Sequence, residues 1–178
     1  MIDVLKQFEA VPAAYPAAPY GLSDDAAALD PAMIWARIEG YTAHRFTERE
    51  IVWTLIGNGG DQFHPRLTPV TSSVADLWTG EAWEAVTLSD GPLGVCLPFD
   101  GTYKITAQVG AGDVPAPVSE AFRRLAEYMA DDPGRVGTTS FTDKIGPLEE
   151  SVNRAPTWLA RAMQYSGAGD LLRPYRRA

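Results

Sequence analysis

Hydrophobic positions along the chain change period twice. Met33, Ile34, Ile38 and Tyr41 recur at spacings of three and four, the single apolar stripe of a helix that runs to about Ala43. Asp30-Pro31 suits its start, because an Asp side chain accepts from free N–H groups and Pro has no N–H to leave unsatisfied. Ser23-Asp24-Asp25 caps a preceding turn over residues 26–29. Between about Phe46 and Val109 the period shortens. Ile51, Trp53 and Leu55 alternate with Val52, Thr54 and Ile56, which predicts a strand buried on both faces. Asn58-Gly59-Gly60-Asp61 then breaks the run. Residues 74–78 and 83–88 flank Thr79-Gly80-Glu81-Ala82 as a predicted hairpin. Residues 95–97 and 103–109 give two more strands across Phe99-Asp100-Gly101. Helical spacing returns with Val118, Ala121, Phe122, Leu125, Ala126 and Met129, behind Pro115 and Pro117 and ahead of the stop Asp131-Asp132-Pro133-Gly134. A Gly-, Thr- and Ser-rich loop over 134–152 leads to a third helix from Ala155-Pro156, with Trp158, Leu159, Ala162 and Met163 on one side and Gly167-Ala168-Gly169 at its end.

This order predicts an α+β fold: a small helical bundle with an inserted antiparallel β-sheet (a meander) and an extended C-terminal arm. The main domain spans residues 23–165, with the β insertion at about 46–109. Residues 1–22 read as an arm, a short helix at 2–9 followed by an extended stretch in which Pro12, Pro16 and Pro19 forbid a continuous helix. Residues 166–178 form a closing tail.

Charge changes this picture more than composition does. Apolar residues make up 46% of the 178 and charged residues 21%, ordinary values for a folded chain. The net charge is −8, which opposes a role in gripping nucleic acid. It is unevenly distributed. From residue 154 onward there are five Arg against one acid, Asp170, so the first 153 residues carry −12. A basic end on an acidic body suits a partner with acidic or carbonyl-rich chemistry. No apolar run of 18 residues and no leader-like start stands out, which predicts a product made and kept soluble in a cytoplasm, with no membrane partner.

Candidate chemistry is sparse. The single cysteine, Cys96, excludes an internal disulfide and lies in an apolar run that predicts a buried strand. His44 and His64 fall in different elements, the first at a helix end and the second in a loop. The acidic pairs Asp24/Asp25, Asp131/Asp132 and Glu149/Glu150 are adjacent in sequence and read as caps or loop ends. No phosphate-cradling loop, nucleophile elbow or HExxH pair occurs, so the sequence offers no catalytic residue, no metal ligand set and no cofactor motif. The informative segment is Leu171-Leu172-Arg173-Pro174-Tyr175-Arg176-Arg177: two apolar anchors, a stiff proline, an aromatic and three guanidinium groups. Arg and Tyr are favoured where one protein grips another.

The passage Ile38-Glu39-Gly40-Tyr41-Thr42-Ala43-His44-Arg45-Phe46, a helix running straight into strands, resembles the corresponding stretch of tailed-phage and gene-transfer-agent head–tail connectors. Residues 103–110 and 114–118 resemble the same family's last strand and second helix, and the closing Leu-Leu-Arg-Pro-Tyr-Arg-Arg is similar to its C-terminal ending. Together these pieces span about residues 31–178. The resemblance implies a portal adaptor of the virion neck. Such a subunit self-associates in a ring, usually of twelve copies, beneath the portal protein. It joins a tail-side neck protein (a stopper) and lets DNA pass through its lumen without specific binding. It also implies that Leu171, Leu172, Arg173, Pro174, Tyr175, Arg176 and Arg177 dock on the portal. The Pro/Ala-rich start and the 134–152 loop depart from the family pattern. Two other readings stand beside this one: a small-ligand module or enzyme with a pocket in the β block, and another neck component such as a stopper or tail terminator.

Overall fold

The computed structural model describes residues 1–131, 140–145, 148–153 and 161–176, and for 140–145 and 148–153 the backbone alone. The chain divides into two compact units, Met1–Pro16 with Ala43–Asp113, and Ala17–Thr42 with Val114–Arg176. The α+β class is as the periodicities predict.

The first unit is all β. Its strands are β1 (Asp3–Glu9), β2 (Arg49–Gly57), β3 (Gln62–Phe63), β4 (Val70–Trp78), β5 (Trp83–Val86), β6 (Ser89–Gly91), β7 (Gly94–Cys96) and β8 (Gly101–Val109). They form a five-stranded sheet in the order β1-β2-β8-β4-β5 and a three-stranded sheet in the order β3-β7-β6. All the pairings are antiparallel. The sheet is not a meander, because β8 inserts between β2 and β4. Ile51, Trp53 and Leu55 of β2 lie opposite Ala107, Ile105 and Tyr103 of β8, and this face is buried with Phe63, Leu67 and Leu97. The other face of β2 is not enclosed as expected: Val52 and Thr54 are half-buried and Ile56 is 45% exposed. An antiparallel sheet needs only one covered face, and β-branched residues on the other express strand preference more than burial. Two polar tips in the core have partners. Trp53 Nε1 donates to Gln7 Oε1 at 2.8 Å. The Tyr103 hydroxyl donates to the Phe99 carbonyl at 2.6 Å and accepts from the Phe99 N–H at 3.0 Å.

One expectation changes here and another is met. Residues 3–9 are a strand pairing with β2, not a helix; seven residues cannot sustain an isolated helix, whereas the edge of β2 offers every second backbone group a partner. The predicted hairpin forms as β4–β5, closed by Trp78 opposite Trp83 with ring centroids 5.2 Å apart. Thr79 fastens its turn, the hydroxyl donating to the Ala82 carbonyl at 3.0 Å and accepting from the Ala82 N–H at 3.3 Å.

The second unit holds α1 (Asp24–Ala27), α2 (Pro31–Thr42), α3 (Ala116–Ala130), α4 (Ala162–Tyr165), α5 (Ala168–Leu172) and a 3-10 turn, Arg173–Tyr175. Ser23 caps α1 by accepting from the Ala26 N–H, and its own N–H and hydroxyl donate to the Glu127 carboxylate at 2.8 and 2.7 Å. Asp30 accepts from the Ala32 N–H at 2.9 Å, as a cap should. The predicted stripe of α3 is the buried one: Val118, Ala121, Phe122, Leu125, Ala126 and Met129. On α2 the buried residues are Ile34, Trp35, Ile38, Glu39 and Thr42, a face rotated from the predicted stripe so that Met33 is 39% exposed. The pairing of Trp35 with Phe122, centroids 5.0 Å apart, accounts for the rotation, since the larger side chain takes the inward position. The expected loop at 134–152 contains a hairpin, β9 (Ser140–Ile145) and β10 (Leu148–Asn153). The start of the expected third helix, with Trp158 and Leu159, lies outside the described residues; the described helical residues there begin at Ala162.

Candidate partner-docking surface

The C-terminal segment is built by two glycines. Gly167 has φ +73°, a left-handed conformation that ends α4 and redirects the chain. Gly169 permits close approach: a Cβ there would lie 3.1 Å from both the Tyr41 hydroxyl and the Met163 carbonyl oxygen. Beyond Gly167 the chain folds into α5 and a 3-10 turn, not an extended arm. Ala168 and Leu172, one turn apart, are both fully buried within the unit. Of the two expected apolar anchors, Leu172 is therefore spent on the chain's own core, whereas Leu171 is half-buried. The spacing of Ala168, Leu171 and Leu172 is a helical stripe that the flanking glycines conceal in the sequence.

The polar side chains of this segment converge on a cavity of about 610 Å³. Arg161, Arg173 and Arg176 line it with Tyr41, Gln164 and a single carboxylate, Asp170. The Arg176 guanidinium lies over the Tyr41 ring, 4.7 Å from its centroid, a cation–π contact that restrains its long side chain. Arg161 Nη1 donates to the Tyr165 hydroxyl at 2.9 Å. Three guanidiniums against one acid make the cavity cationic, with forked donors suited to carboxylates. Arg173, Pro174 and Arg176 are exposed and Tyr175 is half-buried; Arg177 lies outside the described residues. The sequence reading missed Tyr41 and Arg161 as members of this site: α2 brings Tyr41 from far along the chain, and Arg161 stands at the start of α4 ahead of the tail.

The remaining candidates sit elsewhere. His44 is half-buried with its ring 4.6 Å from Phe46; burial, then the Arg45 charge, pushes its imidazole below the usual value, which keeps it neutral at pH 7. His64 lines a second cavity, about 430 Å³, in the β unit with Trp53, Phe63 and Asp90. Cys96 is half-buried in β7 rather than enclosed. A cluster that the sequence did not suggest ties β1 into its sheet. Arg45 donates through Nε and Nη2 to the Glu9 carboxylate at 2.6 and 2.9 Å, and Arg49 Nη1 donates to the same carboxylate at 3.0 Å. Burial alone would raise the Glu9 carboxyl, but hydrogen bonds and charge from Arg45 and then Arg49 hold it below its usual range.

No protein-family model matches the chain, and no curated protein matches it in sequence. Solved structures do match in fold. A chain from the neck of an empty gene-transfer-agent (GTA) particle, computed with C6 symmetry, is similar with a TM-score of 0.55 and 17% identity, over 98% of this chain and 96% of that one. A chain from the virion of a native GTA particle is similar with a TM-score of 0.53 and 20% identity, over 88% of this chain and 79% of that one. At such identities the likeness is one of fold.

Proposed function

We propose that this chain is a head–tail connector subunit, a portal adaptor that forms a ring, of about twelve copies by the family resemblance, in the neck of a phage-like particle. The observation that carries the reading is the end-to-end likeness in fold to a chain from a particle neck, covering 98% of this chain and 96% of that one. The order of the sequence segments that resemble head–tail connectors agrees with it. In this reading the protein works by assembly and not by catalysis. The ring sits between the portal and a tail-side stopper, and the acidic body faces passing DNA with like charge, so the duplex slides without being held.

The cationic cavity is the docking element. Arg173 and Arg176, with Arg177 beyond them, meet portal carboxylates or carbonyls, and Tyr175 and the outer side of Leu171 contribute apolar contact. Because α5 and the turn are already folded, docking orders few residues, which favours affinity over what a mobile arm achieves. Repetition around a ring adds avidity.

Removing residues 171–178 is a poor test, since it also removes Leu172 from the core. Arg173→Glu with Arg176→Glu leaves the core intact and inverts the site. Co-expressed with the portal protein of the same particle, the wild-type chain should co-purify with it. The double variant, folded by circular dichroism, should lose on the order of tenfold or more in affinity per guanidinium. Undiminished capture of the double variant would overturn the assignment of this site.

A further inference from the structure

The edge of β4 is open along half its length. On one side β4 pairs with β8 from Val70 to Leu77. On the other, β5 covers only Ala75 to Trp78. The reason is in the path of the chain: after Val86 it leaves the five-stranded sheet at Thr87-Leu88 and enters β6 of the smaller one. Val70–Val74 are left exposed with no strand beyond them among the described residues. The stretch reads Val-Thr-Ser-Ser-Val, without lysine or proline; its pairing with β8 shifts register between Val70 and Ser72, so of the usual edge protections only a bulge at its start is present. The gap where the strand peels away holds two cavities, about 430 and 460 Å³, that share Ser73, Asp90 and Val95. Trp53 and Ile105 line the first of them. Backbone donors and acceptors beside an apolar groove are what an added strand requires.

The second unit holds a segment with the complementary need. β9 and β10 pair only with each other among the described residues, from Ser140 opposite Asn153 to Ile145 opposite Leu148. A two-stranded ribbon is marginal in water without a third strand or a packed face. Each of its strands is six residues long, about 20 Å at the usual rise, against about 17 Å for the five open positions of β4.

We infer that the β9–β10 ribbon of one copy adds to the open edge of β4, at Val70–Val74, of the next copy, and that this strand addition joins neighbours in the ring. The inference rests on the ring reading and deepens it by naming the contact between subunits. Donor and acceptor are different patches of the same chain, so every copy gives one hairpin and receives one. Such a head-to-tail contact closes into a ring when the rotation permits.

Cysteine pairing between copies tests this. In a Cys96→Ser background, one chain carries Ser72→Cys, Ser73→Cys or Val74→Cys, and a second carries Thr142→Cys or Ser151→Cys. The two are co-expressed with the portal protein, and the purified assembly is oxidised and run without reductant. Covalent dimers containing one chain of each kind, absent when either cysteine is missing, are the expected result; chains bearing both cysteines should give a ladder of multimers. An assembly that forms on the portal and yields no cross-link would overturn the strand addition and leave the ring standing. Cross-linking confined to single chains carrying both cysteines would overturn it too, by placing the hairpin on its own edge. Failure to assemble on the portal at all would remove the ring reading and this inference with it.

Discussion

Leu172→Ala separates a packed C-terminal helix from a mobile arm. Leu172 is fully buried, and α5 belongs to the same compact unit as α3, whose inward face is Val118, Phe122 and Leu125. Removing a buried leucine side chain forfeits about 1.5–3 kcal/mol of transfer free energy. The cavity left behind brings typical losses to about 2–5 kcal/mol. We expect about 3 kcal/mol, near the middle of that range. The assay is urea unfolding monitored by tryptophan fluorescence, for which Trp35 of the same unit is a reporter. With a slope of about 2 kcal/mol/M, the midpoint of the helical unit should fall by roughly 1.5 M. Leu171→Ala, at a half-buried position, is the internal control and should cost clearly less. A loss under about 1 kcal/mol for Leu172→Ala, equal to that of Leu171→Ala, would refute the packed helix and restore the mobile arm that the glycines suggest.

Phe122→Ala should cost about 3–5 kcal/mol in the same assay, since it deletes a buried ring and its contact with Trp35; a loss below about 1 kcal/mol would mean that α3 presents a different face. Glu9→Gln should cost on the order of 1–3 kcal/mol at pH 7 by weakening the bonds to Arg45 and Arg49. Because the Glu9 carboxyl is held below its ordinary 4.5 in the folded chain, its contribution is complete above pH 4.5 and declines as pH falls through the lowered value. The variant should therefore lose less stability than the wild type as pH falls below 4.5, and superimposable acid limbs would contradict the role given to this carboxylate.

The legible parts of the sequence were those whose signal is local. The stripe of α3 could be read residue by residue, because one face is apolar and the other carries Glu120, Arg123, Arg124 and Glu127. The β4–β5 hairpin could be read because Trp78 and Trp83 bracket four turn-forming residues. The insertion of β8 between β2 and β4 could not, since strand order is a long-range choice that period-2 alternation does not encode. β1 was illegible for a related reason: its strand state is imposed by the waiting edge of β2, and its anchor lies 36 and 40 residues away at Arg45 and Arg49. At the C-terminus Arg173 and Arg176 were visible, but Tyr41, Arg161 and the support of the site were not. Gly167 and Gly169 look like a flexible exit, yet one supplies a left-handed turn and the other a close approach to Tyr41.

The two units are interleaved in the chain, and this governs when either can form during synthesis. The first 16 residues belong to the β unit and the next 26 to the helical one, after which the chain returns to the first at Ala43 and leaves it again after Asp113. β2 and β1 can meet early, but β8 and with it the middle of the sheet emerge only beyond residue 101. α2 waits longer still for the face of α3 that buries Trp35. For most of its synthesis the chain therefore holds half-built pieces of both units, with Ile34, Trp35, Ile51 and Trp53 open to water. Ribosome-bound intermediates shorter than about 110 residues should thus be clients for chaperones.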